Sequence, residues 1–287
     1  MNIVFVGGAP RSGTSLLQKM LGFHSDILAG PEFENIYDVV QLYKRMKATN
    51  ERDRHEFYCG LDDIKQEIEQ LVLNLLTARS SESDCRLIIE KTPKNVLVFN
   101  ELREIFPKAK FIFVLRDPRA TVASLKLVSE RMKTKAIKSA FGRGIETDIK
   151  LTRTYLDHGL KFFSENSDIC HMIRYEHLVS DPEGQMEAVC QFMGVEYQEV
   201  MLDVENPNRA GQRLDRKMNP WNLGENIAKK ISTTGIEKWK GVLNKYESNL
   251  VALYFTGHPF LKEFYDIQFK KSFHFYIKRF LSIIGLS

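Results

Sequence analysis

Residues 3–15, IVFVGGAPRSGTS, empty a short apolar β-type run (residues 3–6) into a glycine-rich turn, and an amphipathic segment (Leu16, Leu17, Met20, Leu21) follows at once. The order is strand, loop, helix. The successive N–H groups of such a loop and the positive end of the helix make a cradle for an anion. Glycines also mark tight turns that bind nothing, so the segment needs support from elsewhere in the chain.

The spacing Gly8-x-x-x-x-Gly13-x-Ser15 is that of a Walker A loop with one substitution. Where ATP and GTP enzymes carry lysine the chain has Thr14, and the cation lies inside the loop as Arg11. The loop suits phosphate but lacks the usual grip on a γ-phosphate.

Support comes from residues 110–125, KFIFVLRDPRATVASL. Residues 111–115 are continuously apolar, as expected of a strand buried on both faces. The run ends in Arg116-Asp117-Pro118-Arg119, and a helical pattern (Ala120, Val122, Ala123, Leu125) begins directly. Pro118 suits the turn or the first helical position. Two arginines at the carboxyl end of a parallel strand lie where open α/β sheets bind ligands, and arginine's planar fork suits phosphate. Ser124, about two turns into the helix, offers its hydroxyl alongside.

Together, GAPRSGTSLL and FVLRDPRATVASL resemble the paired phosphosulfate- and 3′-phosphate-binding signatures of sulfotransferases that use 3′-phosphoadenosine 5′-phosphosulfate (PAPS). The wording is most similar to the branch holding the tyrosylprotein sulfotransferases and many bacterial relatives. Arg174-Tyr175-Glu176-His177-Leu178-Val179 is similar to that family's RYEDLV stretch, and the three matches keep the family's order. The resemblance implies an α/β fold: a P-loop-type parallel β-sheet flanked by helices, in a single domain. It further implies that Arg11, Ser12, Gly13, Thr14 and Ser15 wrap the 5′-phosphosulfate. Arg116 and Ser124 then hold the 3′-phosphate, and Tyr175 approaches the nucleotide. The donor would be PAPS and the product PAP, with no metal.

Composition sets outer bounds. A chain of 287 residues, 43% hydrophobic and 27% charged, describes an ordinary globular protein with one large core or two modest ones. The net charge of +4 is too mild to call for nucleic acid, and a local basic pocket for an anionic nucleotide explains it as well. The four cysteines (Cys59, Cys85, Cys170, Cys190) are widely spaced, which argues against a metal site or a disulfide framework and for a reducing cytoplasm. The chain begins almost at once in a strand and has no 18-residue apolar run, so neither a signal peptide nor a membrane span is expected. That departs from the Golgi-anchored animal tyrosylprotein enzymes and favours a bacterial or otherwise cytoplasmic member.

Strands are expected at residues 3–6, 87–90, 111–115 and 169–174, alternating with helices as in a parallel α/β sheet. The insertion 36–83 holds a helical pattern at 64–78. Residues 130–165 read as helices rich in Lys and Arg (Arg131, Lys133, Lys135, Lys138, Arg143), a solvated face or an acceptor surface. A further amphipathic helix runs over 183–194 and ends at Gly194. Residues 206–230 read as a long loop or lid before a Trp239-containing helix at 235–243. Where cytosolic members of the family place Arg-Lys-Gly, this chain has Ser232-Thr233-Thr234 after Lys229 and Lys230, so the residue that meets the 3′-phosphate there stays open. The domain is drawn as 1–265, with a basic, aromatic tail at 266–287 that either docks on the domain or lies on a membrane surface.

Sulfuryl transfer to a hydroxyl needs in-line placement, neutralisation of the leaving phosphate and a proton acceptor. Arg11 and the loop amides serve the donor. The family's bridging lysine corresponds to Lys91 in Glu90-Lys91-Thr92-Pro93. Cytosolic sulfotransferases carry Lys-Thr-His there and use the histidine as base; here the third residue is Pro93. The tyrosylprotein branch uses a glutamate after the first helix, and ungapped counting from Arg11 lands on Glu32, with Glu34 as fallback. The expected acceptor is a hydroxyl on protein tyrosine, a glycan or a glycolipid, and the basic helices favour an acidic peptide or anionic glycan. A P-loop kinase using ATP is the competing enzyme reading, weakened by Thr14. A non-catalytic nucleotide-binding module is the third.

Overall fold

The computed structural model describes residues 2–50, 57–78, 85–134, 144–205, 231–272 and 275–279. Among these, five parallel strands form one sheet: β1 (Asn2–Gly8), β2 (Ile27–Ala29), β3 (Leu87–Lys91), β4 (Lys110–Leu115) and β5 (Cys170–Arg174), in the order β2-β3-β1-β4-β5. The glycine-rich loop therefore leaves the central strand, flanked by the strands that carry Lys91 and Arg116. The structure is the single-domain α/β fold expected from the sequence.

Both faces of the sheet are covered, which explains why its strands read as unbroken apolar runs. Ile3, Phe5, Ile88, Phe111 and Phe113 face one layer, which holds α2 (Ile36–Asn50), α3 (Leu61–Thr77), α4 (Phe99–Ile105), α6 (Ile145–Glu165) and α10 (Lys245–Phe255). Val4, Val6, Ile89, Ile112 and Val114 face the other, with α1 (Thr14–Leu21) and α8 (Pro182–Met193). The first layer is tied by an aromatic cluster in which Phe99, Phe111 and Phe162 lie 4.9–5.1 Å apart between ring centres.

Several boundaries differ from the sequence expectation. The first strand runs to Gly8, because Gly7 and Gly8 still pair with Phe113 and Val114 of β4. The three-residue edge strand β2 is an addition, too short to show a period. The insertion contributes two helices, α2 and α3, where one was expected. The helix at 183–194 is α8, closed by Gly194 in the left-handed region at φ 83° with its N–H on the Cys190 carbonyl. Of the Trp239 helix only one turn forms, α9 (Trp239–Val242).

The basic stretch is split between α5 (Pro118–Thr134) and α6; Lys135, Lys138 and Arg143 lie outside the described residues, as does the expected lid at 206–230. In the tail, Ile267 and Phe275 are buried in the larger core layer, and Phe275 packs against Tyr246 and Phe269. Among the described residues no helix is long and apolar enough to cross a membrane.

Candidate active site

The loop between β1 and α1 turns on itself through a hydrogen bond from the Ser12 N–H to the Ala9 carbonyl (3.0 Å). Arg11 takes φ 74°, alone among the described non-glycine residues in having positive φ, and Gly13 follows at φ 108°. A bulky residue held in the left-handed region is strained and persists only where its surroundings fix it. No side chain caps the first turn of α1 and no acidic residue lies in it; the Leu16 N–H turns back to the Gly13 carbonyl (3.0 Å), and the start of the helix is open to an anion. Ser12 Oγ is fully buried and has no hydrogen-bond partner. Both features fit a cradle for a phosphate or sulfate group.

One wall joins Arg11, Ser124, Arg116 and Tyr175. Arg11 Nε donates to Ser124 Oγ on α5 (3.2 Å). Arg116, at the end of β4, donates to the carbonyls of Arg11 and Gly235 (2.8 Å each) and stacks on Tyr175, the first residue of α7 (Tyr175–Ser180), 4.0 Å from the ring centre. The Tyr175 ring closes over Gly13, where an added Cβ would lie 2.5 Å from it. Burial holds both guanidiniums below their usual range, and for Arg11 the charges of Arg116 and Arg131 push the same way. Two buried like charges favour an anion between them. Arg116 Nε, buried and without a partner, adds a free donor to this wall.

Behind Arg116, the Glu176 carboxylate accepts from the Asp117 N–H (2.9 Å) and from Tyr265 (2.8 Å), fixing the β4–α5 turn. Asp117 holds Arg119 through both carboxylate oxygens, accepting from Nε at Oδ1 (3.0 Å) and from an Nη at Oδ2 (2.7 Å), and Arg119 lies 4.4 Å from the Trp239 ring centre.

The opposite wall carries Lys91 and Glu32. Lys91 is 2% exposed; its ammonium donates to Ser15 Oγ (3.3 Å) and forms an ion pair with Glu32. Glu34 is exposed, and the structure brings Glu32 rather than Glu34 to the lysine. Gln18 of α1 donates to the Gly30 carbonyl. Glu90, 2% exposed, accepts from the Phe33 N–H (3.2 Å), Thr92 Oγ1 (2.7 Å) and Asn95 Nδ2. Burial pushes the Glu90 carboxyl up to about 7, against the pull of those three donors.

Lys91, Arg116, Ser124 and Tyr175 thus meet Arg11, Ser12, Gly13, Thr14 and Ser15 at the β1–α1 loop, with Glu32 joined through Lys91, whereas Glu34 is exposed and Arg119 is held by Asp117 and Trp239. Sequence reasoning missed three contributors. The Gly235 carbonyl and the Gln18 amide carry no sequence signal; Glu90 did, as an acidic residue inside the apolar run Leu87-Ile88-Ile89. Among the described residues no cluster of His, Cys, Asp and Glu is arranged to hold a metal ion.

A family model described as Sulfotransferase family matches residues 3–199. A protein-tyrosine sulfotransferase of Drosophila melanogaster is 27% identical over 256 residues, which cover 84% of this chain and 47% of the fly protein. The chain thus spans about half the length of that relative. In fold, it is similar to the sulfotransferase domain of the Synechococcus PCC 7002 olefin synthase, with TM-score 0.60, 20% identity, and coverage of 89% of this chain and 94% of that one. Mouse sulfotransferase SULT7A1, solved in complex with PAP, gives TM-score 0.50 at 14% identity over 89% of this chain and 83% of its own.

Proposed function

The chain belongs to the sulfotransferase family, and on that premise we propose that it moves the sulfuryl group of PAPS to a hydroxyl acceptor, with Glu32 as general base. The observation that carries this reading is the convergence on one loop of three buried or half-buried cations, Arg11, Lys91 and Arg116, with a single carboxylate, Glu32, paired to the lysine. The uncapped α1, the orphaned Ser12 hydroxyl and the free Arg116 Nε fit an anionic nucleotide.

In this scheme the loop amides, Arg11 and Ser15 hold the 5′-phosphosulfate, while Arg116 and Ser124 take the 3′-phosphate beside Tyr175. Glu32 accepts the acceptor's hydroxyl proton as the new oxygen–sulfur bond forms. Lys91 and Arg11 neutralise the charge left on the departing 5′-phosphate when its bond to sulfur breaks. The cations of the walls supply the electrostatic role that magnesium fills in ATP enzymes, so no metal enters the scheme.

The protein-tyrosine sulfotransferases among its relatives support a tyrosyl hydroxyl as acceptor. A glycan or a glycolipid would satisfy the same base, and the three differ only in what the acceptor walls must recognise.

Calorimetric titration with PAP, with ADP and with ATP plus magnesium tests the donor assignment. Tight binding of PAP that depends on its 3′-phosphate and ignores magnesium is the expected result. Preference for ATP with magnesium would replace this reading with a kinase. Transfer of labelled sulfate from PAPS to an acidic tyrosyl peptide then tests the acceptor.

A further inference from the structure

The loop at residues 30–35 carries the chain from the edge strand β2 to the helical layer on the face of the sheet opposite α1. It follows the edge strand β2, which α1 precedes on the face of Leu16, Leu17, Met20 and Leu21, and it enters α2, whose Ile36, Val40 and Tyr43 are buried on the opposite face. On the way it rounds the carboxyl end of β3. There Glu90 and Lys91 are consecutive, and the pleat sends their side chains to opposite faces. Both grip the same loop. Lys91 takes the carboxylate of Glu32, and Glu90 takes the backbone N–H of the next residue, Phe33, at 3.2 Å.

Little else holds this loop. Pro31, Glu34 and Asn35 are exposed, and a Cβ built on Gly30 meets nothing within 4 Å. Its anchors are the partly buried Phe33 ring and the two hydrogen bonds that bracket Glu32, from Gln18 to the Gly30 carbonyl and from the Phe33 N–H to Glu90.

A carboxyl buried in an apolar strand is costly unless its oxygens are satisfied, and an aliphatic residue would fill the place without that cost. Here the oxygens are satisfied by donors from three places: the loop, the strand end at Thr92 and the following 3-10 turn (Pro93–Val98) at Asn95. Asn95 also reaches the Val6 carbonyl of β1 (3.4 Å), which links the tether to the strand that feeds the nucleotide loop.

We propose that Glu90 is a positioning residue for Glu32, holding the Phe33 amide so that the neighbouring carboxylate stays at Lys91 over the nucleotide loop. The inference rests on the reading of Glu32 as the base. Glu90 itself touches neither donor nor acceptor. A displacement of about 1 Å at a reacting group is enough to slow a reaction about 10²-fold.

The test compares Glu90→Leu, which keeps volume but removes the acceptor, with Glu90→Gln, Glu32→Ala and the Glu32→Ala/Glu90→Leu pair. Three quantities are read: hydrogen exchange at the Phe33 amide, PAP affinity, and PAP release from PAPS with an acidic tyrosyl peptide present. PAP release registers transfer to the peptide or to water.

Glu90→Leu is expected to speed Phe33 exchange at least tenfold and to lower kcat by about 10- to 100-fold, with PAP affinity within threefold of the parent. Glu90→Gln keeps an oxygen for Phe33 and Thr92, and its amide meets Asn95, whose Oδ1 has no partner and turns to accept. It is expected to restore both exchange and turnover to within about threefold. The double variant should be no slower than Glu32→Ala. Unchanged exchange in Glu90→Leu, or the same slowing by Glu90→Leu in the Glu32→Ala background as in the parent, would overturn the role of Glu90. Full turnover by Glu32→Ala is a different result and overturns the base assignment itself. Should Glu90→Leu fail to fold, Glu90→Ala carries the same comparison, and Glu90→Gln against the parent still reads the Phe33 amide.

Discussion

The guanidinium of Arg116 lies 4.0 Å from the centre of the Tyr175 ring and at the same time donates to the carbonyl of Arg11. One side chain thus joins the carboxyl end of β4, the start of α7 and the glycine-rich loop.

Arg116→Ala is expected to weaken PAP binding by about 10²-fold, or roughly 3 kcal/mol, because it removes a charged fork and leaves two carbonyls and a phosphate without their donor. Arg116→Lys should recover only part of this, since an ammonium cannot keep the stack and both carbonyls at once. Calorimetry with PAP reads both variants, and an affinity equal to the parent's would place the 3′-phosphate elsewhere.

Glu32→Ala separates binding from chemistry. PAP affinity should stay within about threefold of the parent, while kcat falls by about 10² to 10⁴, the usual contribution of a general base. The comparison with Glu34→Ala is informative, because Glu34 is exposed and the structure directs Glu32 to Lys91. A larger loss from Glu34→Ala would reverse the assignment.

Gly13→Ala should damage the loop without touching a charge. Its φ of 108° disfavours any side chain, and the new Cβ would lie 2.5 Å from the Tyr175 ring. A loss of about 1–3 kcal/mol in stability is expected, together with weaker PAP binding. Thermal melts with and without PAP measure both. A variant melting and binding like the parent would mean that Tyr175 does not close over the loop.

Stability should fall as pH rises from about 4.5 to about 7, through Glu90. Its folded-state pKa is raised from 4.5 to about 7, so the unfolded chain releases this proton first, and ionisation between the two values favours unfolding. The stabilisation is complete below 4.5 and gone above about 7, and the full step corresponds to roughly 3 kcal/mol. Glu90→Gln cannot titrate, so its denaturation midpoints should lack this component when melts are compared from pH 4.5 to 8. An identical slope in both proteins would assign the dependence to other groups.

The main strands and the glycine-rich loop between β1 and α1 were legible because their signals are local. Residues 111–115 announce a strand buried on both faces, and Gly13 announces the turn between β1 and α1, while Gly7 and Gly8 belong to the end of β1 itself. Contacts between distant segments were legible only through family resemblance. Glu32 and Lys91 meet although 59 positions separate them, and nothing in either local pattern points to the other. Gly235 contributes through its carbonyl, a group every residue has, so its side-chain type gives no signal. The edge strand β2, with three residues, has too few positions to display alternation. Glu90 is the instructive miss: its acidity within an apolar run was visible, but the partner it holds is a backbone N–H.

The crossing of the chain at the end of β3 also sets how a change on one face of the sheet is felt on the other. The residues proposed for the donor lie on α1, α5 and α7 and at the ends of β1, β3 and β4, whereas α2 and α3 follow the crossing and pack in the other layer with α4, α6 and α10. A shift of α2 therefore reaches Glu32 along the chain through residues 33–35, past the tether of the Phe33 N–H to Glu90. That short stretch is where a movement of the α2 layer is either passed on to the carboxylate at Lys91 or stopped short of it.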